Sequence, residues 1–239
     1  TNVRLSQKLW RWCAENEVPF IYALSAATYG DGAQGFDDVG TTEGLANFLP
    51  LNPYGWSKHL FDRWVARMME SSGPRPPQWV GLKFFNVYGP NEYHKGDMRS
   101  VVTKSYGAAA RGEAVTLFRS HDPKYVDGGQ MRDFVYVKDC VEVILWLIEQ
   151  QHVSGLFNVG TGRAESWLEL AGSLYSAVGK ELEVHWVDIP VEIRDRYQYF
   201  TEADVGRLRE AGYQRPFRAV REGVADFVEL HLATSDPYR

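Results

Sequence analysis

Tyr54 and Lys58 stand four residues apart in the run Tyr54-Gly55-Trp56-Ser57-Lys58, a spacing that puts both side chains on one face of a helix. An ammonium beside a phenol favours the ionised form, so such a tyrosine can accept an alcohol proton near neutral pH. As that proton leaves, the hydride on the same carbon can pass to a nicotinamide ring. The pattern alone arises by chance on many exposed helix faces, and its context gives it weight. Upstream, a short apolar run ends in Leu24-Ser25-Ala26-Ala27-Thr28-Tyr29-Gly30. A serine at the C-terminal end of a buried parallel strand lies where ligands of open α/β sheets bind, and Ser25 could donate a hydrogen bond to the oxygen that faces Tyr54.

Positioning those side chains takes alternating helices and strands, and the pattern supplies them. Leu5, Leu9 and Cys13 recur at helical spacing before the strand PFIYAL. Leu60, Phe61, Trp64, Val65 and Met68 form one stripe of a helix from Tyr54 to about Met69, and Gln78 to Phe85 reads as the next strand. Residues 31–51, with four glycines and no periodicity, read as a long surface loop. A helix is expected over Ser100 to Ala110, a loop over Ser120 to Gln130, and a strand in DFVYV. Cys140 to Glu149 is apolar nearly all round, as for a helix packed between layers, and GLFNVGTG reads as strand plus turn. Ser166 and Glu169 form a capping box; Thr201 and Asp204 are candidate caps of a helix that Gly212 stops. Phe217, Val220, Val224, Phe227 and Val228 would bury the last helix.

This arrangement predicts an α/β fold: a Rossmann-like doubly wound parallel sheet with a smaller C-terminal α/β substrate lobe. The expected division is 1–92, the C-terminal half of a dinucleotide-binding domain, and 93–239, mainly a substrate lobe, with 132–163 returning to the first domain. No GxxGxxG fingerprint precedes a helix anywhere in the chain, and Gly160 to Gly162 comes too late to be one. The first βαβ units are therefore expected to be missing upstream, and the chain alone to bind dinucleotide poorly.

Ser25, Tyr54 and Lys58, followed in order by Phe85-Asn86-Val87-Tyr88-Gly89-Pro90, Arg132-Asp133-Phe134-Val135-Tyr136-Val137 and Phe157-Asn158-Val159-Gly160-Thr161-Gly162, resemble the extended short-chain dehydrogenase/reductase superfamily. Within it, SAATYG, YGWSK, NVYGPNEYHKG, RDFVYV, GTGRAES and RYQYFTEAD resemble the ADP-glycero-manno-heptose 6-epimerase family along essentially the whole chain. The resemblance implies inversion at C6 of a nucleotide-linked heptose, a precursor of the lipopolysaccharide core, through a transient ketone. It makes Ser25, Tyr54, Lys58 and Lys95 the catalytic set, with Lys95 as the second acid/base. Two bases suit a reaction that removes hydride from one face of a carbon and returns it to the other. Lys58, Val87 and Lys95 would contact the cofactor, NADP in this family, with NAD possible. Substrate contacts would come from Ser25, Asn86, Asp97, Lys104, Phe118, Ser120, Arg132 and Tyr197; a guanidinium such as Arg132 can pair bidentately with diphosphate oxygens. Asp97 stands where the family has a small hydroxyl residue, Lys104 where it has a histidine, and HDPKYVDGG lengthens the loop before Arg132.

Ala26 and Ala27 occupy the places where a dehydratase of this group carries an acidic pair, which argues against dehydration. A 4-epimerase is the nearer alternative, although it has no use for Lys95. A fold kept only as a binding module would be free to lose Tyr54 or Lys58. No GxSxG elbow suggests a serine hydrolase, and no HExxH spacing a metal, so none is expected.

The net charge of −5 and the absence of basic clusters beside aromatic platforms exclude nucleic acid as an expected partner. The apolar stretch Val143 to Ile148 falls far short of the roughly 20 residues a bilayer span needs. Cys13 and Cys140 form no CxxC and read as buried thiols of a reducing compartment; with no secretory leader recognisable, a cytoplasmic location is expected. The resemblance further implies a homo-oligomer and a nucleotide-sugar substrate.

Overall fold

The computed structural model describes residues 2–194 and 197–236. In chain order the elements are α1 (Asn2–Glu15), β1 (Phe20–Ser25), α2 (Thr42–Ala46), α3 (Pro53–Glu70), β2 (Trp79–Phe84), β3 (Asn86–Tyr88), α4 (Val101–Arg111) and β4 (Val115–Phe118). They continue with β5 (Met131–Arg132), β6 (Phe134–Tyr136), α5 (Val137–Glu149), β7 (Gly155–Val159), β8 (Glu165–Ser166), α6 (Trp167–Ala177), β9 (Val184–Val187), α7 (Val191–Arg194), α8 (Gly206–Glu210) and α9 (Val220–Phe227). The chain is an α/β protein of Rossmann-like type whose alternating helices and strands build two units. One unit comprises residues 1–85, 142–159 and 203–215, and the other 86–141, 160–202 and 216–239.

The first unit is organised on a parallel sheet in the order β1-β2-β7, with Ser25 paired to Phe84 and Phe84 to Val159. Its central strand is sealed on both faces, as parallel sheets require. Trp10 of α1 is fully buried, meets Phe61 and Trp64 of α3 edge-on, and donates its indole N–H to the Pro74 carbonyl at 2.9 Å. Leu5 and Leu9, whose spacing predicts α1, are 57% and 43% exposed. They mark the outer face of that helix, and its inner face is Trp10 and Cys13.

Residues 31–51 do not form a structureless surface loop. They contain α2, capped by Thr41, and they bury Asp38, Leu45 and Phe48. The segment is held from within: Asn158 of β7 donates its amide N–H to Asp38 Oδ2 at 2.8 Å and its side-chain Nδ2 to the Phe36 carbonyl at 2.6 Å. Long-range polar anchors of this kind leave no periodicity to read. The expectation for α5 also needs correction, because Val141, Leu145 and Ile148 are each about half exposed while Val143 and Leu147 are sealed. Its apolar residues mark two faces, and burial reaches one of them. Thr201 caps no helix; its hydroxyl oxygen accepts the Asp133 N–H at 3.4 Å. Asp204 instead bridges the turn before α8, accepting Gly206 N–H at 2.8 Å, and Gly212 follows the helix at φ 111°.

The second unit carries three short strand pairs: β3 parallel to β6, β4 parallel to β9, and β5 antiparallel to β8. Val102 of α4, Tyr136 of β6, Leu174 of α6 and Val224 and Phe227 of α9 join in one core. The capping box predicted at Ser166 and Glu169 is present and starts α6. Gly223 permits the approach of α9, since a Cβ there would lie 2.2 Å from the Tyr88 hydroxyl.

Candidate active site

Asn52 fixes where the Tyr54–Lys58 helix begins. Its side-chain oxygen accepts the Gly55 N–H at 2.8 Å, and Pro53, which needs no donor, opens the first turn. Gly55 then lets that turn sit on the segment leaving β1, because a Cβ would lie 2.6 Å from the Ala27 carbonyl oxygen. The close approach brings the start of α3 to the C-terminal edge of the sheet, where Ser25 ends β1.

Ser25 caps the 3-10 turn of residues 26–29, its Oγ accepting the Ala27 N–H at 3.2 Å, which leaves the hydroxyl hydrogen for another acceptor. Tyr54 is 52% exposed, so its phenol is open to a ligand. Lys58 reaches back along the helix: its Nζ lies 5.9 Å from the Tyr54 ring centroid and donates to the Ala23 carbonyl at 2.9 Å. Burial lowers the Lys58 pKa, with the Asp62 carboxylate opposing that shift. The first unit therefore brings together three predicted residues: a hydroxyl donor, an accessible phenol and a half-buried amine tied to the backbone.

In the second unit, Lys95 lies in a turn between Glu92 and Ser100 and lines a cavity of about 310 Å³ with Asn86, Val87, Asp97 and Lys104. The turn is built around Glu92, a residue not singled out in the sequence. Its buried carboxylate accepts the Ser100 N–H at 2.8 Å and the hydroxyls of Ser100 and Thr103 at the start of α4, while its carbonyl accepts the Lys95 N–H at 3.0 Å. Asn86, Lys104, Phe118, Arg132 and Tyr197 line a larger cavity of about 660 Å³, and Trp167 contributes to both. Trp167, the first residue of α6, was not singled out in the sequence.

Arg132 is 7% exposed, donates to the carbonyls of Met131 and Gln198, and lies 5.3 Å from the Tyr197 ring centroid. Burial pulls its pKa below the usual guanidinium value, and neighbouring Tyr197 and Tyr125 oppose that. A guanidinium so held, with Phe118 edge-on to Tyr197, offers a cationic and an aromatic wall to one ligand. Ser120 lines neither cavity; its hydroxyl donates to the Asp122 carbonyl at 2.7 Å within the 120–130 loop. Two other motif residues are structural hubs. Asn158 accepts the Tyr29 hydroxyl at 2.7 Å, and Asp133 holds the turn of residues 160–162 by accepting Thr161 and Gly162 N–H groups at 2.7 and 2.9 Å. Arg196, in the RYQYFTEAD segment, lies outside the described residues.

Among the described residues no cluster of His, Cys, Asp and Glu could hold a metal ion, and no helix is long and apolar enough to cross a membrane. The open edge formed by Ser25, Tyr54 and Lys58 fits the nicotinamide end of a dinucleotide, since it joins an accessible proton acceptor to an amine able to meet ribose hydroxyls.

The family model described as NAD dependent epimerase/dehydratase matches residues 1–160. Over 237 residues the chain is 49% identical to the ADP-L-glycero-D-manno-heptose-6-epimerase of Nitratidesulfovibrio vulgaris, covering 99% of this chain and 71% of that protein. Its fold is similar to the crystal structure of the Helicobacter pylori ADP-L-glycero-D-manno-heptose-6-epimerase, with a TM-score of 0.75, 29% identity, and coverage of 95% of this chain and 64% of that one. It is also similar to the Thermus thermophilus UDP-glucose 4-epimerase in complex with NAD, with a TM-score of 0.67, 26% identity, and coverage of 91% and 65%.

Proposed function

This chain belongs to the NAD dependent epimerase/dehydratase family, and on that premise we propose that it inverts C6 of an ADP-linked glycero-manno-heptose. The observation that carries the reading is the accessible Tyr54 phenol set on one helix face with Lys58, beside the end of the strand that carries Ser25. The sugar is inferred from the name of the relative that shares 49% of its residues.

Tyr54 accepts the proton of the C6 hydroxyl, Lys58 supplies positive charge beside the phenol and binds the cofactor ribose, and Ser25 donates to the substrate oxygen. A nicotinamide cofactor, NADP in this reading, would be held by Lys58, Val87 and Lys95 and would supply reversible hydride transfer at C6. Lys95 is the second proton carrier and returns a proton to the oxygen, so the reaction consumes nothing and leaves an inverted centre. Arg132 and Lys104 offer positive charge to the diphosphate, and Phe118 and Tyr197 offer ring faces to the base. Asn86, Val87 and Asp97 border the Lys95 cavity and position the sugar. We place the protein in the cytoplasm, as a homo-oligomer, in the synthesis of heptose precursors of lipopolysaccharide.

The test incubates the intact protein and its bound cofactor, identified by mass after release, with ADP-D-glycero-D-manno-heptose, and follows C6 by NMR. Inversion is expected, and Tyr54→Phe and Lys95→Ala should each slow it by about 10²–10⁴-fold. No inversion by the cofactor-loaded protein, or a Tyr54→Phe variant within about threefold of wild type, would refute the assignment.

A further inference from the structure

Tyr54, Lys58 and Asp62 follow one another at four-residue intervals along α3, and they pass from open to sealed. Tyr54 is 52% exposed, Lys58 is half-buried and Asp62 is fully buried. At the sealed end Asp62 Oδ2 lies 3.0 Å from Lys83 Nζ of β2, both side chains being 0% exposed. Lys83 also donates to the Thr28 hydroxyl at 3.0 Å, and that hydroxyl donates to the Ser25 carbonyl at 3.0 Å. The Lys83 ammonium further lies 4.6 Å from the Tyr29 ring centroid. Polar contacts thus run from Asp62, one helical turn beyond Lys58, through Lys83 of the central strand and the Thr28 hydroxyl to the serine at the strand end.

Folding alone gives little reason for this pair, since apolar side chains of similar volume commonly replace a buried ion pair without loss of stability. We propose that Asp62 and Lys83 are positioning residues of the active site: Asp62, one helical turn from Lys58 on α3, supplies the negative charge that favours its ammonium form, and Lys83 is the counter-ion that keeps Asp62 ionised. The inference rests on the reading of Tyr54 and Lys58 given above. Lys58 is pulled towards the neutral amine by its burial, and Asp62 is the charge that opposes this. Asp62 in turn is pushed towards the neutral acid by burial, with Lys83 first and Lys58 last among the groups resisting. The remaining titratable neighbours are His59 and Arg63 on α3, Tyr22 on β1, and Tyr29 in the turn after Ser25, which also feels Asp38 and Asp37. None of them replaces Asp62 as the anion acting on Lys58.

The experiment measures the titration of Lys58 by competitive acetylation across pH with mass-spectrometric readout, which needs neither substrate nor turnover. The near-isosteric neutral variant Asp62→Asn/Lys83→Met is compared with wild type, and thermal unfolding checks that it is folded. The Lys58 midpoint should fall by about one pH unit in the variant, and the alkaline limb of kcat should move down with it. Asp62→Leu/Lys83→Met is the second variant, because apolar replacement of a buried pair preserves folding, and either folded variant decides the matter. An unmoved Lys58 midpoint in a folded variant would overturn the proposal. A moved midpoint in a protein that inverts no heptose would instead sink the functional reading and leave the control of Lys58 standing.

Discussion

Two sealed groups of the first unit should pull its stability in opposite directions over the same pH range. Asp38 is 1% exposed, and its burial outweighs the Asn158 N–H and the Arg207 charge, raising its pKa from 3.8 to about 6. His59 is 0% exposed, and burial, helped by the charges of Lys83 and Arg63, lowers its pKa from 6.5 to about 4. Native Asp38 holds its proton more tightly than the unfolded chain does, so its contribution to stability is lost as pH rises from about 4 to about 6. For His59 the unfolded chain is the better proton acceptor, so its contribution grows as pH rises from about 4 to 6.5. At about 1.4 kcal/mol per pKa unit each limb is worth about 3 kcal/mol, and in wild type the two nearly cancel. Asp38→Asn keeps an oxygen acceptor for the Asn158 amide and removes the falling limb. Urea denaturation from about pH 4 to 7 should therefore show the variant gaining about 3 kcal/mol on wild type, a midpoint shift of about 1–3 M at ordinary slopes. His59→Phe should show the opposite trend, losing ground as pH rises. Parallel stability curves for wild type and Asp38→Asn would mean that Asp38 titrates like an exposed carboxylate, and the reasoning from burial would fail.

Arg132→Met should raise the KM for the nucleotide sugar by about tenfold or more while changing kcat less, because the side chain is placed to bind diphosphate and not the reacting carbon; a change confined to kcat would remove it from the binding wall. Leu5, Leu9 and Trp12 lie 57%, 43% and 54% exposed along one face of α1, so sedimentation velocity should find a homo-oligomer, and Leu9→Glu/Trp12→Glu should release monomer. A wild-type monomer at tens of micromolar would refute that assembly.

The placement of Ser25, Tyr54 and Lys58 was legible in the residues themselves. A tyrosine and a lysine one helical turn apart must share a face, and a serine ending an apolar run must lie at a strand's C-terminal edge. The helix around Tyr54 and Lys58, the capping box at Ser166 and Glu169, and the buried stripe of the last helix follow from local periodicity and capping. Periodicity does not say which apolar face meets the core, and there the expectations failed: Leu5 and Leu9 look outward on α1, and Val141, Leu145 and Ile148 look outward on α5. Nor does it report bonds between residues far apart in the chain. Asn158 holding Asp38 and Lys83 reaching Asp62 both join positions whose separate neighbourhoods carry no sign of the partner. The sequence by itself determined which polar groups share a helix face or a strand end and where most helices and strands run, because those depend on residue type and spacing over a few positions. Tertiary structure decided which of those groups are sealed, which charges they meet and which carbonyls hold them in place, because desolvation and long-range hydrogen bonding exist only once distant segments pack together.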